Sequence, residues 1–137
     1  MSDPERKRIL IVDDDPSHLE IYGMIVDRAG YFPVPLLVRF AGPEPLPEEL
    51  VDAILLDYTL YSVKTSPEIA QHLNEKYPLA PILVLSDLWN MPEDIQPYAS
   101  DFVRKGEPEK LLNALRRLFA SYGNGVPPQK DEPEKTG

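Results

Sequence analysis

The sequence predicts a doubly wound α/β fold, in which a five-stranded parallel sheet is covered by helices on both faces. Short aliphatic runs such as ILIV and ILVL recur along the chain, separated by segments whose apolar residues have helical spacing. The aliphatic runs do not alternate with polar residues, which is typical of parallel strands buried on both faces. Because right-handed crossovers connect such strands, their carboxyl ends meet at one edge of the sheet.

Five segments are predicted to be strands, and each contains a short apolar run: residues 7–12, 34–40, 52–56, 81–85 and 101–104. Three helices follow from apolar spacing and from residues that start or stop a helix. The first begins at Pro16 and stops at Gly30. The second opens at Ser66 and ends before Pro78, and the last covers residues 108–122.

Proline limits the helices in two other connections. Between the second and third strands, GPEPLPEEL contains three prolines, so only a short helix from about Pro47 is expected. Between the fourth and fifth strands, Pro92 is a suitable helix start, but Pro97 interrupts the helix one turn later. We predict an N-terminal extension at residues 1–6, one domain at residues 7–123, and a proline-rich, disordered tail at residues 124–137.

The composition excludes several classes of protein. The 137 residues include no cysteine, which excludes disulfides and thiolate metal sites. The net charge of −9 disfavours contact with nucleic acids and with anionic membranes. The aliphatic runs are shorter than the roughly 18 residues of a membrane span, so we expect a soluble, cytoplasmic protein. The two histidines, His18 and His72, are interpreted as solvated or packed rather than catalytic.

Polar side chains follow four of the predicted strands, where each strand ends. Residues 13–15, all aspartates, follow the first strand, Asp57 the third, Ser86 and Asp87 the fourth, and Lys105 the fifth. Adjacent carboxylates repel one another, because each pair at about 4 Å costs roughly 4 kcal/mol at an effective dielectric near 20. Carboxylates, a hydroxyl and an ammonium group together suit Mg²⁺ and a phosphoryl group. The cation is the positive charge that the acids need.

This pattern resembles the receiver domain of two-component response regulators, the family of the bacterial chemotaxis regulator. The resemblance covers roughly residues 7–123 and rests on IVDD, ILLD, VLS and VRK, which carry the family's five pocket positions. It implies a flavodoxin-like fold with strand order 2-1-3-4-5. It also implies that the chain is not an enzyme but a phosphoacceptor that catalyses its own phosphorylation and dephosphorylation. Because residues 124–137 are too short and too rich in proline for an effector domain, we expect a stand-alone receiver.

The resemblance implies a role for each residue of the pocket. Asp57 is the nucleophile that accepts a phosphoryl group from a phosphohistidine. Asp14 and Asp57 ligate Mg²⁺ directly, and Asp13 ligates it through water. The backbone carbonyl of Thr59 is a further ligand. Lys105 pairs with the phosphoryl oxygens, which stabilises their charge.

Switch and modulating positions are also implied by the resemblance. Ser86 hydrogen-bonds a phosphoryl oxygen, and Phe102 occupies the aromatic switch position, where tyrosine is common. Leu88, like Thr59, occupies a position that influences dephosphorylation. Asp87 stands where the family favours a small residue, and its carboxylate would repel an incoming phosphoryl group.

The implied partners are a sensor histidine kinase or phosphotransfer protein and a downstream protein target, with a monomer or weak homodimer as the oligomeric state. The loop after Asp57 reads DYTLYSVKTSPE and lacks the family's usual Met-Pro pair and Asp-Gly turn. Losing proline and glycine changes the stiffness of this loop. Phe102, and Gly106 in place of the usual proline, indicate a modified output surface.

Two alternatives stay open. A pseudo-receiver, which binds partners but is rarely or never phosphorylated, is favoured by Asp87 and by the altered loop. A Mg²⁺-dependent phosphatase of the haloacid dehalogenase type is the remote alternative, with Asp13 and Asp15 as its D-x-D motif. Ser17 then stands where that family has Thr or Val, and Asp57 has no role. Asp15, directly before a proline, is more simply interpreted as a helix cap.

Overall fold

The computed structural model describes residues 6–121. Predictions for residues 1–5 and 122–137, which include the tail and the last two residues of the predicted domain, lie outside the described residues. The elements are β1 (Arg8–Asp13), α1 (Pro16–Arg28), β2 (Phe32–Arg39), β3 (Gly42–Pro43), β4 (Ala53–Asp57), α2 (Ser66–Lys76), β5 (Ile82–Ser86), a 3-10 helix (Gln96–Tyr98), β6 (Asp101–Arg104) and α3 (Pro108–Ser121).

The strands form one six-stranded sheet in the order β3-β2-β1-β4-β5-β6. The five longer strands are parallel, and their order confirms the predicted order 2-1-3-4-5. The predicted number of strands is wrong, because β3 adds a two-residue strand that pairs antiparallel with the end of β2. Gly42 has a φ of 137°, a conformation that glycine tolerates, and it allows the chain to reverse between these two strands.

Apolar side chains are buried on both faces of the sheet, as the fold class predicts. On one face, α1 and α3 cover a core to which the central strands contribute Ile11 and Leu55. On the other face, α2 and the 3-10 helix cover a second core that contains Leu10 and Ile54. Successive residues of a strand point to opposite faces, so strands covered on both sides read as unbroken apolar runs.

No helix forms in the connection between β3 and β4, and the prediction of a short helix from Pro47 is wrong. Residues 44–52, all of them described, contain no helical turn. The segment is held instead by long-range contacts, because Leu46 and Val51 pack against the core on the α2 side. The hydroxyl of Tyr77 donates a hydrogen bond of 2.5 Å to the carbonyl of Pro47. The prolines of residues 44–52 lack the N–H groups that a helix would use.

The connection between β5 and β6 contains one turn of 3-10 helix, Gln96–Tyr98. Pro97 lies within this turn, in agreement with the helix break predicted there. Ile95 and Ala99 flank the turn and are buried in the core on the α2 side. Two side chains therefore anchor the segment that covers this part of the sheet.

Helix starts and ends follow the residues that the sequence indicated. Asp15 is the N-cap of α1, and its carboxylate accepts a hydrogen bond from the N–H of Ser17, which confirms its interpretation as a cap. At the start of α2, Thr65 and Glu68 form a capping box. Gly30 follows α1 with a φ of 98°. Within residues 6–121, no helix has both the length and the apolar character that a membrane crossing requires.

Replacing Thr65 by alanine should destabilise the protein at the start of α2. The Thr65 hydroxyl accepts from the N–H of Glu68, so Thr65→Ala should lower the free energy of unfolding by about 1 kcal/mol. Glu68→Gln is the matched control, because its side-chain oxygen still accepts from the N–H of Thr65 and only about 0.3 kcal/mol of charge interaction is lost. Urea denaturation followed by circular dichroism measures both. Equal losses would contradict the cap as the cause.

Candidate functional site

The carboxyl ends of β1 and β4 bring two aspartates together. The two strands are neighbours and stay in register up to the residues just before Asp13 and Asp57. The side chains of these aspartates are 1% and 2% exposed, respectively. The N–H of Asp15 donates to Oδ1 of Asp13 at 3.0 Å, and the N–H of Thr59 donates to Oδ1 of Asp57 at 3.1 Å. Backbone groups thus hold both carboxylates in place.

Lys105, directly after β6, places its ammonium group against this acid pair. Its Nζ lies 2.8 Å from Oδ1 of Asp57, and its side chain is 16% exposed. The backbone N–H of Lys105 donates to the carbonyl of Ser86 at 2.8 Å, which extends the pairing of β5 and β6. Gly106 has a φ of 84°, so the chain turns away directly after the lysine. The structure therefore brings Asp57 and Lys105 into contact.

Burial and charge shift the pKa of these groups. Burial raises the pKa of Asp13 from its usual 3.8 to about 6, and the charge of Asp57 adds to the rise. Burial also raises the pKa of Asp57, although Lys105 opposes the shift. Burial lowers the pKa of Lys105, but the hydrogen bond and charge of Asp57 outweigh it, so the net shift is upward. Buried acids that repel one another are stabilised by a divalent cation.

The other two predicted metal ligands lie at the loop that follows β4: Thr59 is part of the loop, and Asp14 is bound to it. The N–H of Tyr61 donates to Oδ2 of Asp14 at 3.0 Å, which ties this carboxylate to the loop. Thr59 is held beside Asp57 by the bond from its own N–H to that carboxylate. Asp14 and the backbone of Thr59 are therefore positioned by the same loop.

This loop lacks the proline and glycine that are usual in the family, and hydrogen bonds to neighbouring segments hold it instead. The N–H of Val63 donates to the carbonyl of Phe40 at 2.7 Å. The hydroxyl of Ser66 donates to the carbonyl of Tyr58 at 2.6 Å, and the hydroxyl of Tyr58 donates to the carboxylate of Asp94 at 3.0 Å. The loop is thus attached to the β2–β3 turn, to α2 and to the segment after β5.

Ser86 ends β5, and its side chain is fully buried. Its Oγ accepts a hydrogen bond of 3.0 Å from the N–H of Leu88. A hydroxyl that accepts one bond can still donate its own proton to another oxygen. Asp87 and Leu88 are exposed, and the charge of Asp87 contributes to the raised pKa of Lys105. Asp87 therefore lies at the mouth of the site, within electrostatic reach of the lysine.

Phe102, the predicted aromatic switch, lies in β6 and is half-buried against the core on the α2 side. It lines a surface groove of about 470 Å³ together with Trp89, Arg104 and Lys110. The guanidinium of Arg104 stacks on the exposed ring of Trp89, 3.7 Å from its centroid. An aromatic side chain, a stacked cation and a groove thus lie next to the strand that carries Lys105.

His18 lies at the site, although the sequence interpretation gave it no role there. Its Nδ1 is 3.5 Å from Oδ2 of Asp13, and the side chain is 43% exposed. Asp13, His18 and Asp57 each offer a ligand atom, and these atoms lie within 4.8 Å of one another, which suits a metal ion. The position of His18 was a usable signal. Side chains in a first helical turn point toward the helix start, where the acids lie.

No protein-family model matches the chain, and neither does any curated protein. Solved structures do. The chemotaxis response regulator CheY4 of Vibrio cholerae is 21% identical over 82% of this chain and 98% of its own, with a TM-score of 0.67. A CheY-like receiver domain protein of Methanospirillum hungatei is 18% identical over 88% of this chain and 99% of its own, with a TM-score of 0.72. The receiver domain of a histidine kinase of Syntrophus aciditrophicus is 20% identical over 84% of this chain and 91% of its own, with a TM-score of 0.65.

The chain has the receiver-domain fold. All of the residues through which the sequence resembles receivers lie at the carboxyl edge of its sheet: Asp13, Asp14, Asp57, Ser86 and Lys105. This receiver fold has an extended segment at residues 44–52 and a single 3-10 turn before β6, where helices were considered. Neither change affects the strand ends that carry the acids, the hydroxyl and the ammonium group.

The raised pKa of Asp13 predicts that stability falls as pH rises. Between about pH 4 and about pH 6, the folded state holds a proton that the unfolded state has released. The free energy of unfolding therefore decreases through this window and stays reduced above it. Asp13→Asn buries no charge, so in EDTA it should be more stable than the parent protein by roughly 1–3 kcal/mol at about pH 7.5, and by little at about pH 4.

Urea denaturation at the two pH values measures this difference. Glu20→Gln, which changes an exposed acid on α1, is the control and should shift stability by less than about 0.5 kcal/mol at either pH. If Asp13→Asn is less stable than the parent protein at the higher pH, burying the charged carboxylate of Asp13 does not lower the free energy of unfolding as its raised pKa predicts.

Proposed function

We propose that this chain is a receiver, which accepts a phosphoryl group on Asp57 from a sensor histidine kinase or phosphotransfer protein, depends on Mg²⁺, and signals by protein contact. The observation that supports this proposal most directly is the 2.8 Å contact between the Asp57 carboxylate and the Lys105 ammonium at a buried edge of the sheet. The receiver-domain fold supports the same proposal, because one of the solved structures with this fold is the receiver domain of a signal transduction histidine kinase.

The proposed reaction is a displacement at phosphorus. A carboxylate oxygen of Asp57 forms a bond to phosphorus, the bond from phosphorus to the imidazole nitrogen of the donor breaks, and its electron pair stays on that nitrogen. Lys105 already lies against Asp57 and would hold the oxygens of the new phosphoryl group. The buried hydroxyl of Ser86 would donate to one of them. The chain is then a phosphoacceptor that promotes its own modification, not an enzyme with a separate substrate.

The residues at the sheet edge fit Mg²⁺ because they offer hard oxygen ligands. Asp14 and Asp57 would bind it directly with the carbonyl of Thr59, and Asp13 would bind it through water. Mg²⁺ in this position would neutralise charge on the phosphoryl oxygens. It would also lower the raised pKa of Asp57, which keeps the nucleophile ionised.

A pseudo-receiver that binds partners without phosphorylation is the second candidate. Asp87 favours it, because its exposed carboxylate lies within electrostatic reach of Lys105 at the mouth of the site. The contact between Asp57 and Lys105 opposes it. The haloacid dehalogenase reading has less support, because the carboxylate of Asp15 accepts bonds from the N–H and the hydroxyl of Ser17 as a helix cap.

Incubation with acetyl phosphate and Mg²⁺ should add one phosphoryl group to the protein, detected by intact mass. Asp57→Asn should gain none, because the nucleophile is lost, and EDTA should prevent the gain in the parent protein. Asp52→Asn is the matched control, since Asp52 precedes β4 at the opposite end of the strand and should leave phosphorylation unchanged. Binding of Mg²⁺ without any gain of mass would favour the pseudo-receiver. Steady release of phosphate that depends on Asp13 but not on Asp57 would contradict both candidates.

Removing the charge of Asp87 should speed phosphorylation by a small anionic donor. Asp87→Ala removes an acid at the mouth of the site, and one exposed charge interaction of up to about 1 kcal/mol corresponds to a rate increase of roughly two- to fivefold. Glu93→Ala removes another exposed acid from the same connection and should leave the rate unchanged. The initial rate of the mass gain at low ionic strength measures both. Equal rates in the parent protein and Asp87→Ala would show that this carboxylate does not obstruct the donor.

A further inference from the structure

We propose that His18 adds a nitrogen ligand to the cation site, so that the site binds first-row transition metal ions such as Co²⁺ more tightly, relative to Mg²⁺, than an all-oxygen site does. The inference concerns the same cation site as the proposed function and rests on it only for the location of the ion. It assigns a metal preference through an imidazole on α1, outside the residues that the resemblance to receivers implies as ligands.

The position of Nδ1 is the first support. This atom is buried and forms no hydrogen bond within residues 6–121, although the rest of the ring is partly exposed. Its neighbour is Oδ2 of Asp13, 3.5 Å away, and the ligand atoms of His18, Asp13 and Asp57 lie within 4.8 Å of one another. A buried nitrogen without a hydrogen-bond partner, facing two buried carboxylates, is placed to share an ion with them.

The opposite nitrogen of the ring supplies the second support. Nε2 of His18 lies 3.6 Å from Oδ2 of Asp15. The other oxygen of Asp15 is fixed by the N–H of Ser17 at 2.9 Å and by its hydroxyl at 2.7 Å. Histidines that bind metals commonly direct their second nitrogen to a carboxylate, which keeps the proton there and leaves the first nitrogen's lone pair for the ion. Asp15 is thus a positioning residue as well as a helix cap.

Tyr22 restrains the ring from a third side. It lies one turn further along α1, and its ring meets that of His18 edge-on with centroids 6.3 Å apart. The imidazole therefore has Asp13 at one nitrogen, Asp15 at the other and an aromatic ring against it. Such support fixes the orientation of a ligand before the ion arrives.

The chemistry of the donor set determines which ions gain. Mg²⁺ binds through oxygen and keeps several waters, so an added imidazole contributes little to its affinity. Divalent ions such as Co²⁺ and Ni²⁺ accept imidazole readily and bind mixed nitrogen and oxygen sites more tightly than Mg²⁺ does. His18 should therefore raise the affinity for these ions and leave the affinity for Mg²⁺ almost unchanged.

Calorimetric titration of the full chain with CoCl₂ and, separately, with MgCl₂ tests the proposal. His18→Ala should bind Co²⁺ at least about tenfold more weakly, since removing even an outer partner of a metal ligand costs roughly 10–100-fold. Its affinity for Mg²⁺ should change by less than about threefold. His72→Ala is the matched control: it removes the chain's other histidine, which is exposed on α2, and should leave both affinities unchanged.

Proton NMR of the Co²⁺ complex gives a second readout. A hyperfine-shifted, exchangeable imidazole proton should appear in the parent protein and in His72→Ala and should be missing in His18→Ala. His18→Gln keeps a polar side chain at the position and guards against loss of folding. It should retain Mg²⁺ binding and lose the Co²⁺ preference. Unchanged Co²⁺ affinity in His18→Ala, or an equal loss of both ions in both variants, would overturn the proposal.

Phosphorylation is measured separately, with Mg²⁺ and acetyl phosphate, so that the two proposals fail independently. If Asp57 gains no phosphoryl group but His18→Ala loses its Co²⁺ preference, the role of His18 stands and the receiver function fails. If Asp57 is phosphorylated and His18→Ala binds Co²⁺ as tightly as the parent protein, the receiver function stands and the role of His18 fails.

Discussion

Asp13 and Asp57 are both almost completely buried, and they lie side by side where the two central strands of the sheet end. Burial removes their hydration and raises the pKa of both, and a neighbouring negative charge adds to each rise: that of Asp57 at Asp13, and that of Asp14 at Asp57. The order of the strands supplies the compensating charge. Because β6 lies two strands from β4 in a parallel sheet, Lys105 leaves it at the same edge and reaches Asp57. The sheet order therefore determines the chemistry of the site.

Residues that come directly after strands were predictable, because their place is determined by the strand rather than by the loop. The unbroken apolar runs indicated five parallel strands, and the residues that follow them, such as Asp57 and Lys105, are in contact in the structure. The start of α1 was equally predictable, because Asp15 precedes a proline and caps the helix by a local bond. Local chemistry and strand order were thus enough to indicate most of the fold.

Features that depend on particular tertiary contacts were not predictable. The proline spacing of residues 44–52 showed that a helix there would be poor, but the extended path is set by burial of Val51 and by the bond from Tyr77 to Pro47. Strand β3 has two residues, too few for a periodic pattern. The position of His18 in the first turn of α1 indicates that its ring lies near the acids, but not that one ring nitrogen faces Asp13 and the other faces Asp15. In each case a tertiary contact, which no repeating sequence pattern encodes, decides the outcome.

The loop after β4 shows how such distant contacts reach the site. The N–H of Tyr61 binds the carboxylate of Asp14, while the ring of Tyr61 packs on Phe40, with centroids 5.2 Å apart. The N–H of Val63 donates a hydrogen bond to the carbonyl of the same Phe40, which lies between β2 and β3. The antiparallel turn at the edge of the sheet and a candidate cation ligand are therefore held by one short segment. The segment is held at one end by the bond from the N–H of Thr59 to Asp57 and at the other by the cap of α2, so Tyr61 and Val63 connect the Asp14 carboxylate directly to the turn between β2 and β3.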